Sequence, residues 1–151
     1  MHLRYLGLFL IILLLPACAS TSGMQQQFAV CSYDHAWDAA LETVKDRPIT
    51  TSDKDAGLIE TDWLEISMPG RDFGILQRDV SDGKDRSRLT LTVKRLDDVT
   101  KISFLEVRQQ WVFRGGSRLF GWASTDPSPD VMHDIRRRLD SKLKEHGCSV
   151  T

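Results

Sequence analysis

Two long stretches of alternating residues, separated by one acidic turn, constrain the fold more than any other part of the sequence. In residues 88–96, every second residue from Leu89 to Val93 is apolar, which is the pattern of a half-buried strand. An Asp-Asp pair supplies the turn, and residues 100–113 form the partner strand. In that second strand the apolar residues change face after Phe104, which predicts a β-bulge. The sequence therefore predicts a long antiparallel hairpin.

Two amphipathic helices lie on either side of this hairpin in the sequence. Asp34 is the predicted N-cap of the first, whose apolar stripe ends before Pro48. The second begins at Pro129 after the predicted cap Ser128 and ends at Gly147. Two such helices need one apolar sheet face to cover. We therefore predict an α+β fold of two layers, an antiparallel sheet with both helices packed on one face.

The remaining strands are shorter. Residues 28–31 form a first strand candidate, and residues 49–52 and 58–66 are predicted to form a hairpin because turn residues separate them. The apolar residues of the second arm change face near Trp63, which indicates a bulge or a partly covered edge. Residues 68–84 contain several glycines and one proline and are predicted to be a long connection.

The N-terminal residues have the composition of an export signal. Arg4 provides a positive charge, and the apolar run that follows, from Leu6 to Leu15, covers about ten residues, whereas a membrane-spanning helix needs about twenty. Residues 1–17 are therefore predicted to be a signal peptide that is cleaved from the mature protein.

The residues at the cleavage point, Leu15-Pro16-Ala17-Cys18, resemble the bacterial lipobox. This resemblance implies that Cys18 carries a diacylglycerol and a third acyl chain, which together anchor the chain stably. Alanine at position 19 implies sorting to the outer membrane, facing the periplasm, rather than retention in the inner membrane. The alternatives are an ordinary secretory signal, or a buried helix with an incidental cysteine. Residues 18–27 are then a lipidated flexible tether, and residues 28–151 a single domain.

Charge and cysteine content narrow the possible partners and leave one pairing open. Removing Arg4 from the 20 Lys and Arg residues leaves 19 against 21 Asp and Glu, and this acidic balance argues against nucleic acid. Cys31 and Cys148 remain after lipidation of Cys18 and flank the domain. They form either a disulfide, which would stabilise the fold by about 4–5 kcal/mol in the chain-entropy model, or two buried free thiols. Antiparallel helices would bring the two cysteines close together.

The sequence contains no pattern typical of catalysis. Neither a nucleophile motif, nor a phosphate-binding glycine loop, nor paired metal-ligand spacing occurs, and His35, His133 and His146 are scattered. We therefore predict no enzymatic activity, no cofactor and no metal site.

A cluster of aromatic residues around Gly115-Gly116 is the candidate binding site. Aromatic side chains with neighbouring arginines are typical of protein-binding surfaces. The alternative is a loop folded over the sheet. The candidate residues are Trp111, Phe113, Arg114, Arg118, Phe120 and Trp122.

The order of these elements resembles a known family. The helix start Tyr33-Asp34-His35-Ala36-Trp37, the strand beginning Gly57-Leu58-Ile59-Glu60-Thr61-Asp62-Trp63, the long hairpin and the closing helix are similar to a helix-grip domain of the BamC lipoproteins. The resemblance spans most of Tyr33 to Leu143 and implies an accessory role in outer-membrane β-barrel assembly.

The function predicted from these features is that of a non-catalytic, membrane-anchored envelope lipoprotein that binds envelope proteins, including outer-membrane assembly factors. The alternative is a periplasmic carrier of lipid or another small hydrophobic molecule. A carrier predicts an internal cavity lined by residues such as Trp37, Leu91 and Phe104.

Overall fold

The computed structural model describes residues 23–68, 71–73, 78–80, 83–115 and 120–151. Two helices and ten strands occur in these residues. In chain order they are β1 (Gln25–Val30), α1 (Tyr33–Thr43), β2 (Ile49–Asp53), β3 (Leu58–Thr61), β4 (Leu64–Met68), β5 (Arg71–Phe73), β6 (Arg78–Val80), β7 (Gly83–Leu96), β8 (Val99–Phe113), β9 (Phe120–Thr125), α2 (Pro129–Glu145) and β10 (Ser149–Val150).

Eight of the strands form one open antiparallel sheet, so the predicted α+β class is confirmed. Six follow the order β10-β1-β8-β7-β3-β2, while β4 pairs with β7 and β9 pairs with β8 further along the same two strands. β5 and β6 form a separate two-stranded sheet. The strands β7 and β8 are therefore the two central strands of the sheet along their whole length.

The β7–β8 hairpin has no bulge between its strands, so the bulge predicted in residues 100–113 is wrong. The register runs without a shift from Leu96 opposite Val99 to Asp85 opposite Gln110. The face of β8 that carries Phe104 continues into the buried Glu106, whereas the apolar residues after Phe104 belong to the opposite face. The first half of β8 is apolar on the core face and its second half is apolar on the outer face. A regular strand without a bulge accounts for both patterns.

The hydrophobic core lies between the helices and one face of this hairpin. Leu89, Leu91 and Val93 of β7 and Ile102 and Phe104 of β8 are buried in a single cluster with apolar residues of both helices. These strand residues alternate and therefore point to the same side of the sheet. We call the opposite side of the β7–β8 hairpin the outer face.

The helix ends differ in detail from the prediction. Ser32, not Asp34, is the N-cap of α1, and its hydroxyl accepts a hydrogen bond from the backbone N–H of His35 at 3.2 Å. Ser128 is the N-cap of α2, but its side chain makes no capping bond. Its backbone N–H donates instead to the Glu106 carboxylate at 2.6 Å. A buried strand residue thus fixes the start of the second helix.

The turn between β2 and β3 depends on Gly57. This residue has a positive φ of 66°, and a Cβ atom there would lie 2.1 Å from the Val93 carbonyl oxygen. The Gly57 carbonyl accepts a hydrogen bond from the Val93 N–H at 2.8 Å. Glycine is needed here for both the backbone conformation and the close approach to β7.

The structure places a one-residue bulge where β3 passes into β4. Glu60 lies opposite Thr90 and Leu64 opposite Ser87, so four residues of one strand span three of β7. Because side chains alternate, the extra residue moves Trp63 to the outer face. The change of apolar face near Trp63 predicted a bulge or a partly covered edge, and the bulge is confirmed.

Three predicted boundaries need correction. β1 begins at Gln25, so Gln25 to Gln27, predicted as part of the tether, pair with β8. The predicted connection 68–84 contains the strands β5 and β6. β7 begins at Gly83 rather than at Arg88. In each case polar residues occupy strand positions and hide the alternating pattern.

Cys31 and Cys148 are joined in a disulfide, with their Cα atoms 4.9 Å apart. The helices run antiparallel, since Arg138 contacts Asp46 while His146, at the end of α2, lies near His35 at the start of α1. This arrangement brings the two cysteines together. The bond connects the end of β1 to the start of β10, and these two strands also pair.

Candidate functional site

Beyond the helix-covered part, the sheet continues as four strands that we call the blade: β4, residues 83–88 of β7, residues 107–113 of β8, and β9. The rest of the described domain is called the body. The helices make their main strand contacts with β7, β8 and β10. The predicted aromatic site lies on the outer face of the blade.

The aromatic residues of β8 and β9 form two cross-strand pairs. Trp111 lies directly opposite Trp122, and Phe113 opposite Phe120. The rings of both pairs meet edge to face, with centroids 5.2 Å apart for the tryptophans and 5.5 Å apart for the phenylalanines. Edge-to-face contacts of this kind add to the stabilisation given by burial alone.

The two phenylalanines remain accessible despite this contact. Phe113 is 57% exposed and Phe120 39% exposed. They occupy the last rung of the β8–β9 pair, so they project from the end of the blade. Exposed large apolar side chains concentrated at one place are typical of an interaction surface.

An arginine connects these aromatic residues to the other side of the blade. The Arg86 guanidinium lies 4.4 Å from the ring centroid of Trp63 and 4.3 Å from that of Trp122. Its Nε and Nη2 groups both donate to the Gln109 side-chain oxygen, at 2.8 and 2.6 Å. A cation held between two indole rings and fixed by two hydrogen bonds has little freedom to reorient.

Trp63 can take part only because of the bulge between β3 and β4. That extra residue directs the indole toward β7, where Arg88 also lies over it at 5.2 Å. We define the aromatic row as the continuous set of outer-face side chains that begins at Trp63, the residue before β4, and crosses β7, β8 and β9. Its members are Trp63, Arg86, Trp122, Trp111, Phe113 and Phe120.

Arg114 lies beside the row and contacts its outermost strand. Its guanidinium donates to the Trp122 carbonyl oxygen, and a Cβ atom on Gly121 would lie 3.3 Å from the Arg114 Cδ. The glycine therefore leaves room for the arginine to cross β9. Arg114 is itself exposed and adds positive charge near the aromatic rings.

On the opposite side of the blade, β7 carries two buried polar residues. Asp85 forms an ion pair with Arg108 at 2.5 Å, and Arg47 donates to the Ser87 hydroxyl at 3.1 Å. Asp85 and Ser87 are fully buried, and burial lowers the pKa of the Arg47 guanidinium. Paired charges and hydrogen bonds are what a buried polar position requires. These residues support the blade from the side that faces away from the aromatic row.

Four of the six residues predicted for partner binding thus lie in one row, with Arg114 next to it. Arg118 and the predicted lipidation residue Cys18 lie outside the described residues. Sequence reasoning missed Trp63, Arg86 and Gln109. The change of apolar face at position 63 could have identified Trp63. Arg86 and Gln109 belong to no sequence pattern that predicts a site.

The arginine run at 136–138 is divided between structural pairs and solvent. Arg138 pairs with Asp46 and Asp134 at 2.9 and 3.0 Å, and Arg137 pairs with Asp134 at 2.6 Å. Arg136 is exposed. This is the solvated helix face that charge runs of this kind usually form.

In the described part of the chain, no group of three or more His, Cys, Asp or Glu side chains is close enough to hold a metal ion. None of the helices there combines the length and apolarity that crossing a bilayer requires. No protein-family model matches the sequence, and no curated protein matches it either.

Proposed function

We propose that this chain is a non-catalytic, membrane-anchored envelope lipoprotein whose blade binds another envelope protein. In this proposal Cys18 carries the acyl chains, and the domain faces the periplasm from the outer membrane. The aromatic row and Arg114 form the binding surface. The lipobox-like residues support the anchor, and the geometry of the blade supports the binding surface.

The observation that carries the proposal is the exposed phenylalanine pair at the end of the blade. Phe113 and Phe120 are held edge to face on two paired strands, so little side-chain freedom would be lost when a partner covers them. Trp111, Trp122 and Arg114 surround the pair with the residue types that dominate binding energy at protein interfaces. The buried ion pair beneath the blade keeps this surface fixed.

The resemblance to BamC belongs to the same proposal. An antiparallel sheet, two helices and aromatic residues at the end of the long hairpin support this part of the proposal. The proposed partner is therefore a factor of outer-membrane β-barrel assembly. This step rests on the sequence resemblance and on the order of elements.

No feature of the described residues supports the alternative function, a carrier of lipid or another small hydrophobic molecule. Trp37, Leu91 and Phe104, which were predicted to line a cavity, belong to the buried core cluster. Three surface grooves in the described part of the chain are lined by other residues. We therefore propose only the protein-binding function.

The anchor is tested by mass spectrometry of the mature protein purified from bacterial membranes. We expect the N-terminal peptide to begin at Cys18 with a diacylglycerol and an amide-linked acyl chain. Cys18→Ala should prevent both the modification and the cleavage. An unmodified N-terminus in the wild-type protein would contradict the proposal.

The binding surface is tested by a photo-crosslinking amino acid at position 120 in cells. The matched control is position 49, because Ile49 is 38% exposed but lies on β2 in the body. We expect one protein to be captured from position 120, with a yield that falls when Phe113→Ser is added, and none from position 49. Equal capture from both positions would show that the blade is not the binding surface.

A further inference from the structure

A positively charged groove lies at the other end of the β7–β8 hairpin from the phenylalanine pair. Its volume is about 670 Å³. Four cations line it, namely Lys54, Lys94, Arg95 and Lys101, against the carboxylate of Asp55, and Lys54 is also paired with Asp34 at 2.9 Å. We call it the lysine groove. The chain as a whole has a formal net charge of −1, so this concentration of positive charge is local.

Two of the lysines are placed unfavourably for the free protein. Lys94 and Lys101 are directly opposite each other in the register of β7 and β8 and point to the same face. Like charges in this position repel each other. Within the described residues neither lysine forms an ion pair with a carboxylate. An anion bound between the two ammonium groups would remove the repulsion.

Hydrogen-bond donors lie one rung away from the lysine pair. Thr92 and Ser103 are directly opposite each other on the same face, and Gln26 of β1 is opposite Ser103. All three residues line the groove. Two ammonium groups next to hydroxyl and amide donors are a suitable set of ligands for the oxygens of a phosphate.

The chain leading to the predicted anchor passes one end of this groove, because Met24 lines it and the next residue, Gln25, lies opposite Phe104, three residues along β8 from Lys101. Gly23 lies just beyond the groove, where a Cβ atom would be 2.7 Å from the Pro127 Cγ and 3.8 Å from the Leu105 Cδ1. Cys18 precedes Gly23 by five residues, which span at most about 18 Å when fully extended. The groove is therefore within reach of the lipid headgroups that surround the anchor.

We propose that the lysine groove binds the phosphate headgroups of anionic lipids in the membrane that carries the anchor. The inference rests on the proposed lipid anchor and adds a second membrane contact to it. The occupant follows from charge complementarity, from the unpaired lysines and from the short distance to Cys18. Headgroup binding orients the domain with the lysine groove toward the membrane. The phenylalanine pair, at the other end of the hairpin, then points away from the membrane.

Lysine footprinting on reconstituted protein tests this contact residue by residue. The acylated mature protein is placed in vesicles of phosphatidylcholine alone or of phosphatidylcholine with phosphatidylglycerol. Acetylation rates of individual lysines are then read by mass spectrometry. We expect the rates of Lys94 and Lys101 to fall about fivefold or more with the anionic lipid, and to recover at high salt. The rate of Lys144, exposed on α2, should not change.

A pair of charge-matched variants separates the groove from general charge attraction. Lys94→Glu with Lys101→Glu should abolish the protection of Lys54, which lines the same groove. Arg136→Glu with Lys144→Glu makes the same change in net charge on α2 and should leave it intact. If both double variants lose the protection equally, or if wild-type Lys94 and Lys101 are acetylated equally fast in both vesicles, the inference is wrong.

Two further arms identify the occupant and keep this inference separate from the proposed function. Inorganic phosphate added to the neutral vesicles should not reproduce the protection. If it does, the groove is a small-anion site and the membrane assignment fails. Protection that appears only when envelope protein is added would assign the groove to a protein instead. An intact mass measured on the same sample reports the acyl chains, so an acylated protein with an unprotected groove contradicts this inference alone.

Discussion

The body and the blade are built on the same two strands, β7 and β8, yet they place apolar side chains on opposite faces of those strands. In the body, one face of β7 and β8 carries buried apolar residues under two helices, and the outer face is polar. In the blade, β7 places the buried polar residues Asp85 and Ser87 on that face, and the outer face is aromatic. The change occurs between Leu89 and Ser87 on a single strand, without a break in the pairing of β7 and β8.

This difference separates the part of the fold that provides stability from the part that we propose binds a partner. Burial of apolar side chains is the main source of folding free energy, so the body carries most of the stability. The blade exposes aromatic side chains that a partner could bury, and a buried ion pair holds its strands in place. Substitutions in the aromatic row, the proposed binding surface, should therefore cost less folding free energy than substitutions in the core of the body.

Replacing a core residue of the body should have the largest effect on stability. Phe104→Ala removes a fully buried ring and should lower the free energy of unfolding by about 3–5 kcal/mol. Leu105→Ala, one residue further on the outer face, should cost about 1–2 kcal/mol because Leu105 is only half-buried. Urea denaturation of the mature protein measures both. Equal losses would contradict the assignment of the core to one face.

Removing the disulfide should have the next largest effect. Cys31→Ser with Cys148→Ser should lower the free energy of unfolding by about 2–5 kcal/mol, because a long loop of the unfolded chain is no longer closed. Reduction of the wild-type protein should give the same midpoint of urea denaturation as the double variant. The aromatic row is remote from the bond, so its near-ultraviolet circular dichroism should be retained.

Truncating the centre of the aromatic row should have a smaller and more local effect. Trp122→Ala removes ring contacts with Arg86 and Trp111 and should cost about 1–2 kcal/mol. The matched variant Trp122→Phe keeps a ring and should lose less than half as much. Hydrogen exchange should increase for the amides of β9 but not for those around Leu91. Faster exchange throughout the body would mean that blade and body are one cooperative unit.

The smallest effect concerns one ion pair at the edge of the lysine groove. A hydrogen bond from Lys54 at 2.9 Å lowers the pKa of the Asp34 carboxyl group. A lowered pKa in the folded state contributes stability above the usual range of aspartate, and this contribution is lost as the pH falls through the lowered value.

Lys54→Met should therefore return the Asp34 pKa to its usual range, and Lys54→Arg should keep it low. Carboxyl titration by NMR measures the pKa values. Stability at neutral pH should barely change, since both side chains are exposed. An unchanged Asp34 pKa in the methionine variant would contradict the pairing.

The sequence predicted the main elements of the body. Regular alternation from Leu89 to Val93 and the helical stripes predicted the hairpin, both helices and the α+β class. These patterns are clear because water lies on one side of each element and an apolar core on the other. The short strands β5 and β6 were not predicted, because they contain few apolar residues.

The blade was less predictable, for a physical reason. Ser87 and Asp85 occupy core-face positions in β7, so the polar start of this strand looked like part of a connection. Their burial is compensated by Arg47 and Arg108, which come from distant parts of the chain, and a local pattern contains no information about such partners. The aromatic residues around the Gly-Gly loop were identified, but their pairing and the Arg86 bridge depend on strand register.

The bond between Cys31 and Cys148 also changes the topology of the polypeptide. Cys31 and Cys148 are 117 positions apart in the sequence, and the bond closes the chain between them into a covalent ring that carries the N-terminal residues as a tail. A protease that cuts this ring once opens it but releases no fragment. A nicked molecule would therefore stay in one piece until a reductant cleaves the sulfur bridge.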